Sequence, residues 1–269
     1  KERSTNRALR SRGCILSLFD NAKVEGRPLH VSAPMLLETA FPDGRPPLRH
    51  RRTVHAHDAR PRVHPQRHRP RQRLHNPPAE RQTTPHDNRP HVLVAQFASS
   101  SVEDFTRASV LIEPWVDGVN LNCGCPQPWA IKEGIGCQLM EEPERVAELV
   151  RAAKAELAPL GKSVSVKIRI AKDLEKTKRW ITAVQDAGVD YITIHGRLKA
   201  QRSSTPPNYE AVRILKEFAS VPIVANGDAY TLKGVNEIAT RTGVDGVMAA
   251  RGMLENPAMF AGYDATSFL

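Results

Sequence analysis

The chain has little of what would place it among secreted, membrane-spanning or zinc-built proteins. It carries four cysteines (Cys14, Cys123, Cys125 and Cys137) in 269 residues. That number and spacing build no disulfide framework. Cys123 and Cys125 are spaced C-x-C, and no second pair is present to complete a zinc knuckle, so no metal is expected. Apolar runs are short, which argues against a membrane-spanning helix and against a membrane partner. The opening residues Lys1-Glu2-Arg3-Ser4-Thr5 lack the apolar stretch of a secretory signal. The expected compartment is the cytoplasm. A mitochondrial or nuclear address stays open, because residues 1–13 are basic.

What the chain has in excess is positive charge, +10 overall. Such a balance invites a nucleic-acid reading. The charge is concentrated, however. Between Arg45 and His91 there are twelve arginines, no lysine and three acids (Asp58, Glu80 and Asp87), a local +9. The remainder is almost balanced, so net charge is not independent support for RNA binding by a folded domain.

Residues 38–90 also differ in composition, being crowded with Pro, Arg and His. No period of 2 or 3.6 survives there long enough to form an element. Taken alone, the segment reads as a disordered basic linker. A long structureless loop inside a compact domain is itself unusual. Shifting the codons of His55-Ala56-His57-Asp58-Ala59-Arg60 one nucleotide forward permits Thr-Pro-(Met/Thr)-Met-Leu-Ala. Arg71-Gln72-Arg73-Leu74-His75-Asn76 likewise permits (Ala/Asp)-(Ser/Asn)-Asp-Phe-Thr-Thr. We read 38–90 as an out-of-frame translation. A transcript with an intact frame giving these same residues would remove that reading, leaving a natural basic insertion. The division expected is a lead-in and first strand at 1–37, the aberrant segment at 38–90, and the remaining barrel at 91–269.

Around that segment, order is regular. Strands are expected at 29–35, 92–97, 116–122, 164–169, 191–195, 222–226 and 246–251. Helices are expected at 18–23, 101–115, 143–158, 174–187, 209–218 and 231–240. Strands alternating with helices at this spacing argue for a parallel sheet. Seven strands are visible, and an eighth fits between Met35 and Val92. Eight such units make a TIM (β/α)8 barrel, here with the second strand region disrupted. A doubly wound sheet is the alternative, but no G-x-G-x-x-G follows the first strand.

Function in a TIM barrel sits at the C-terminal strand ends. Those ends carry Pro34-Met35, Gln96, Asn122 with Cys125, Lys167 with Arg169, His195, Asn226-Gly227-Asp228, and Ala250-Arg251-Gly252. A purely structural barrel has no reason to finish nearly every strand in a polar or special residue. Asn226-Gly227-Asp228 and Ala250-Arg251-Gly252 close the last two strands, whose loops commonly form a phosphate site. Lys167, in an apolar strand, either reaches the rim or points at a ligand. His195 alone would more often be a packing residue. Gln96 offers both a donor and an acceptor. Cys125 follows a strand on a Gly-Cys-Pro turn, and a free thiol (pKa near 8.5) is mostly protonated at neutral pH, so it can act as an acid toward carbon. Its alternative is a small buried hydrophobe.

These pieces closely resemble the tRNA-dihydrouridine synthase family. The resemblance covers about 16–37 and 91–262. It rests on Ser32-Ala33-Pro34-Met35, Gln96-Phe97-Ala98, Asn122-Cys123-Gly124-Cys125-Pro126-Gln127, Val166-Lys167-Ile168-Arg169, Ile194-His195-Gly196-Arg197, Asn226-Gly227-Asp228 and 246–252. Trp129 and Ala130 make it most similar to the eukaryotic branch acting at positions 20a and 20b of the tRNA D-loop. The resemblance implies FMN held by Pro34, Met35, Gln96, Lys167, His195, Asn226, Gly227, Asp228, Ala250 and Arg251, with NADPH or NADH as reductant. It implies hydride transfer from the flavin to uridine C6, protonation of C5 by Cys125, and Asn122 and Arg169 holding the flipped uridine. The implied partner is tRNA and the implied state a monomer.

The chain departs from the family pattern at Asn120, where Asp is common, and at Leu198, where Thr is frequent. It also stops at Leu269, where family members usually continue into a helical tRNA-binding domain. The competing functions are another FMN-dependent barrel oxidoreductase and an inactive RNA-binding remnant using the Arg-rich segment.

Overall fold

The computed structural model describes residues 14–33 and 92–263. The 38–90 segment, the place of the expected eighth strand, Pro34 and Met35 lie outside the described residues.

Seven parallel strands form one sheet: β1 (Leu29–Ser32), β2 (Val94–Phe97), β3 (Gly118–Cys123), β4 (Ser163–Arg169), β5 (Tyr191–His195), β6 (Ile223–Asn226) and β7 (Gly246–Ala249). Their order is β1-β7-β6-β5-β4-β3-β2. Each strand after β2 adds on the same side, and the last pairs with the first. A doubly wound sheet would instead reverse direction near its middle. This is the circular order of a (β/α)8 barrel, with one place between β1 and β2.

Helices alternate with the strands: α1 (Cys14–Val24), α2 (Val102–Ile112), α3 (Pro128–Lys132), α4 (Pro143–Leu157), α5 (Leu174–Asp186), α6 (Tyr209–Phe218), α7 (Leu232–Thr242) and α8 (Arg251–Glu255). Four of their starts carry a side-chain cap. Ser101 accepts from the Asp104 N–H, Asp173 from Glu175, Asn208 from Ala211 and Thr231 from Gly234.

Period-two alternation along the strands separates two cores. Val119, Leu121, Val164, Val166, Ile168, Ile192, Ile194, Ile223 and Val247 face outward into the layer shared with the helices. Tyr191, Val224 and Met248 face inward, where they meet Ile15 and Phe19 of α1. α1 therefore plugs the lower end of the barrel. Phe19 packs on Tyr191 with ring centroids 5.4 Å apart.

The lower rim is built for stability. Three aspartates each accept a main-chain N–H from a neighbouring strand: Asp117 from Leu93 at 2.9 Å, Asp190 from Val164 at 2.6 Å, and Asp245 from Ile223 at 2.7 Å. Lys154 and Lys216 then pair with Asp190 and Asp245. Conservative packing below leaves the upper rim for chemistry.

The expected strands and helices are present with small boundary changes. The last strand ends at Ala249 rather than at residue 251, because Arg251 opens a short helix. The stretch after Cys125, where no element is expected from the sequence, holds α3 and a tight turn at Gly136–Glu141. Tertiary contacts fix that turn: the buried Trp180 indole on α5 donates to the Leu139 carbonyl at 3.0 Å.

Candidate active site

The upper half of the barrel interior is polar, layer by layer. In the lower of these layers Gln96 pairs in register with Asn120, and Asn120 with Ser165. In the next, Asn122 lies beside Lys167, and Lys167 beside Thr193. At the top, Arg169 lies beside His195, and His195 beside Asn226. A barrel packed only for stability fills such layers with branched apolar side chains.

A chain of amide hydrogen bonds links the first layers. Gln96 Nε2 donates to Asn120 Oδ1 at 2.7 Å, and Asn120 Nδ2 donates to Ser165 Oγ at 2.9 Å. Asn122 Nδ2 donates to Gln96 Oε1 at 3.1 Å. Asn120 uses its donor and its acceptor together, which a carboxylate could not do. Gln96 keeps one N–H and one lone pair beyond these bonds.

Cys125 sits directly above. Its main chain is held by Asn122, whose Oδ1 accepts from the Gly124 and Cys125 N–H groups at 3.0 Å each. The Cys125 carbonyl accepts from the Cys137 N–H at 2.9 Å. Gly136 has φ +63° and lies so close that an added Cβ would fall 2.6 Å from the Cys125 oxygen. Cys125 is half-exposed, whereas Cys123 and Cys137 are buried. Burial also pushes the Cys137 thiol up to about 11. Of these three thiols, Cys125 is the one open to a reactant.

Four cations converge on the rim. The His195 ring is pushed down to about 2, first by burial and then by Lys167, Arg169, Arg197 and Arg251. The imidazole is therefore neutral. Asp228 is the carboxylate among them. Its Oδ2 accepts from Arg197 at 2.5 Å and its Oδ1 from Arg251 at 2.7 Å. Lys167 is pushed down to about 8, chiefly by burial and next by Arg169. Its ammonium makes no hydrogen bond or ion pair among the described residues. A half-buried cation without a partner is costly, and an anionic or carbonyl ligand relieves it.

The residues expected at the site fall into groups. Gln96, Asn122, Cys125, Lys167, Arg169, His195, Asn226, Gly227, Asp228, Ala250 and Arg251 all stand at the upper strand ends or the turns that follow them. Several are also structural. Arg169 Nε donates to the Gly124 carbonyl at 3.1 Å, and NH1 donates to Leu198 O at 2.8 Å and Gln201 O at 3.2 Å. Asn226 Nδ2 donates to Met248 O at 3.0 Å. Gly227 has φ +130°, and an added Cβ there would lie 2.8 Å from Pro207 and 3.2 Å from His195. Ala250 caps α8. Pro34 and Met35 lie outside the described residues.

Sequence reasoning missed Asn120, Ser165, Thr193 and Arg197. The first three stand two residues before Asn122, Lys167 and His195 on their strands, so strand alternation was the signal that could have found them. Thr193 is fully buried and its hydroxyl has no partner among the described residues.

The fold and this rim define a (β/α)8-barrel protein with a cation-rich site facing Cys125, the accessible one of the three thiols whose burial is described. Comparison gives the family. The sequence profile of the family described as "Dihydrouridine synthase (Dus)" matches residues 69–268, a span that begins inside the 38–90 segment. The chain belongs to the dihydrouridine synthase family. It is 49% identical over 176 residues to a tRNA-dihydrouridine(20a/20b) synthase of Schizosaccharomyces pombe, covering 65% of this chain and 53% of that protein. A Homo sapiens relative named as 20a/20b-like is 42% identical over 174 residues, covering 65% and 55%. The Saccharomyces cerevisiae 20a/20b relative is 41% identical over 174 residues, covering 64% and 47%. Relatives named for positions 16/17 are 33% and 34% identical. The identity is thus higher to the relatives named for 20a/20b than to those named for 16/17. It spans about half the length of the curated relatives it matches.

Proposed function

We propose that this chain carries the flavin site of a tRNA-dihydrouridine synthase, reducing uridine to 5,6-dihydrouridine in the tRNA D-loop. The observation that carries the reading is the convergence of Lys167, Arg169, Arg197 and Arg251 on a neutral His195, beside the half-exposed Cys125.

The residues fit FMN. The unpartnered Lys167 ammonium suits the edge of an isoalloxazine ring where reduction places negative charge. Arg251, beside the Gly227 and Asp228 turn, suits a phosphate. Gln96 retains a donor and an acceptor for a ring edge, and the neutral His195 retains a ring N–H. Asn226 and Ala250 stand at the ends of the adjacent strands β6 and β7. When bound and reduced by NADPH or NADH, FMN would supply hydride chemistry at uridine C6.

The chain's own groups do the rest. A uridine must leave its stack to reach the barrel mouth. Asn122 retains one amide N–H and Arg169 retains its second terminal nitrogen, so both can hold the pyrimidine. Cys125 delivers the proton at C5: the S–H bond breaks, the C5–H bond forms, and solvent reprotonates the thiolate. A positioned general acid is worth about 10²–10⁴ in rate.

The test is dihydrouridine formation in tRNA with NADPH or NADH, read by nucleoside mass spectrometry. Cys125→Ala is expected to lose at least about 10²-fold in rate with flavin binding retained. Full-rate formation by that variant would remove the acid role. Turnover of small enones but not of tRNA would favour a different flavin barrel oxidoreductase.

A further inference from the structure

His195 closes β5 and Arg197 follows two residues later. Arg197 NH1 lies 3.2 Å from His195 Nε2. A guanidinium donates only, and it keeps its protons at any working pH. His195 Nε2 must therefore accept, and a neutral ring that accepts at Nε2 carries its proton on Nδ1.

Arg197 is held so that it cannot turn away. Its Nε donates to Thr205 O at 2.5 Å, and NH2 donates to Ser203 O at 3.1 Å and to Asp228 Oδ2 at 2.5 Å. Its side chain is 2% exposed. Asp228 is pinned in turn by Arg251 on its other oxygen. His195 Cδ2, the ring carbon next to Nε2, would lie 3.2 Å from a Cβ at Gly227, so the glycine leaves the imidazole room in this orientation. The Nδ1 edge makes no hydrogen bond among the described residues.

We propose that Arg197 is a positioning residue that fixes His195 as the neutral Nδ1–H tautomer, so that the ring presents a hydrogen-bond donor to an acceptor oxygen of the ligand at the rim. Only the ligand's identity rests on the proposed function; the tautomer is a property of the chain. The surrounding charges agree. Lys167 and Arg169 from β4, Arg197 from the loop after β5, and Arg251 from α8 all oppose a second proton on the ring.

The experiment is a long-range proton–nitrogen spectrum of the purified full chain labelled with ¹⁵N at histidine. The His195 signals are those absent from His195→Asn. The expected wild-type pattern is that of the Nδ1–H tautomer, unchanged from pH 8 down to about pH 5, where an ordinary histidine titrates fully. In Arg197→Met, which removes the donor at Nε2, the pattern is expected to change to Nε2–H or a mixture. An Nε2–H or imidazolium pattern in the wild-type protein at neutral pH would overturn the proposal, and so would an unchanged pattern in Arg197→Met. If that variant does not fold, the wild-type spectrum decides alone. A sample showing the Nδ1–H pattern yet retaining no FMN would count against the flavin reading and in favour of this assignment.

Discussion

Asn122 holds Cys125 in place: one side-chain oxygen accepts from the Cys125 and Gly124 main-chain N–H groups, both at 3.0 Å. The residue expected to grip substrate is thus also the clamp on the candidate acid. Asn122→Leu leaves two half-buried donors without a partner, and each such loss costs about 1–3 kcal/mol. Thermal unfolding of this variant is expected to show clear destabilisation. Asn122→Asp keeps that acceptor but loses the Nδ2 donor to Gln96 Oε1, and is expected to be destabilised less than Asn122→Leu.

Gly136 is the second support of the same turn. Its φ of +63° disfavours any side chain, and a Cβ would also strike the Cys125 main chain. Gly136→Ala is expected to destabilise by more than about 1 kcal/mol. Alkylation by iodoacetamide, followed by peptide mass spectrometry, should show Cys125 reacting ahead of Cys123 and Cys137 in the wild-type protein. That order is expected to blur in the variant as the turn loosens.

Lys167 makes cofactor affinity depend on pH. Burial holds it at about 8 in the free chain. An anionic ligand prefers the ammonium, so binding above that value requires proton uptake. FMN affinity, read by flavin fluorescence, is expected to fall as pH rises through about 8, by at most about tenfold per unit. Lys167→Met is expected to bind more weakly and without this dependence.

His195 gives the opposite limb. Its folded value lies far below the ordinary 6.5. The unfolded chain therefore binds a proton that the folded chain refuses, and stability falls as pH drops below about 6.5. His195→Gln lacks that penalty. Between neutral pH and about pH 4.5 the variant is expected to lose about 1–2 kcal/mol less stability than the wild type, after discounting for the ring's partial exposure.

Much of this architecture was legible in the sequence. Apolar runs and helical faces marked seven strands and six helices, because the outward strand faces and inward helix faces must both be apolar to meet. The polar residues at strand ends marked the rim. What stayed hidden depends on contacts between distant residues. The turn at Gly136–Glu141 is fixed by Trp180 from α5. The Arg197–Asp228–Arg251 network joins the loops after β5 and β6 to α8. The work of Asn122 and Arg169 on main-chain groups follows from loop geometry, which residue type alone does not encode.

The most direct test is flavin retention by the purified chain. After incubation with FMN and gel filtration, the wild-type protein is expected to keep the visible absorption bands of bound flavin. Lys167→Met and Arg251→Met are expected to lose most of them. A wild-type protein that folds but elutes colourless, or variants that hold flavin as tightly as the wild type, would contradict the assignment of this rim.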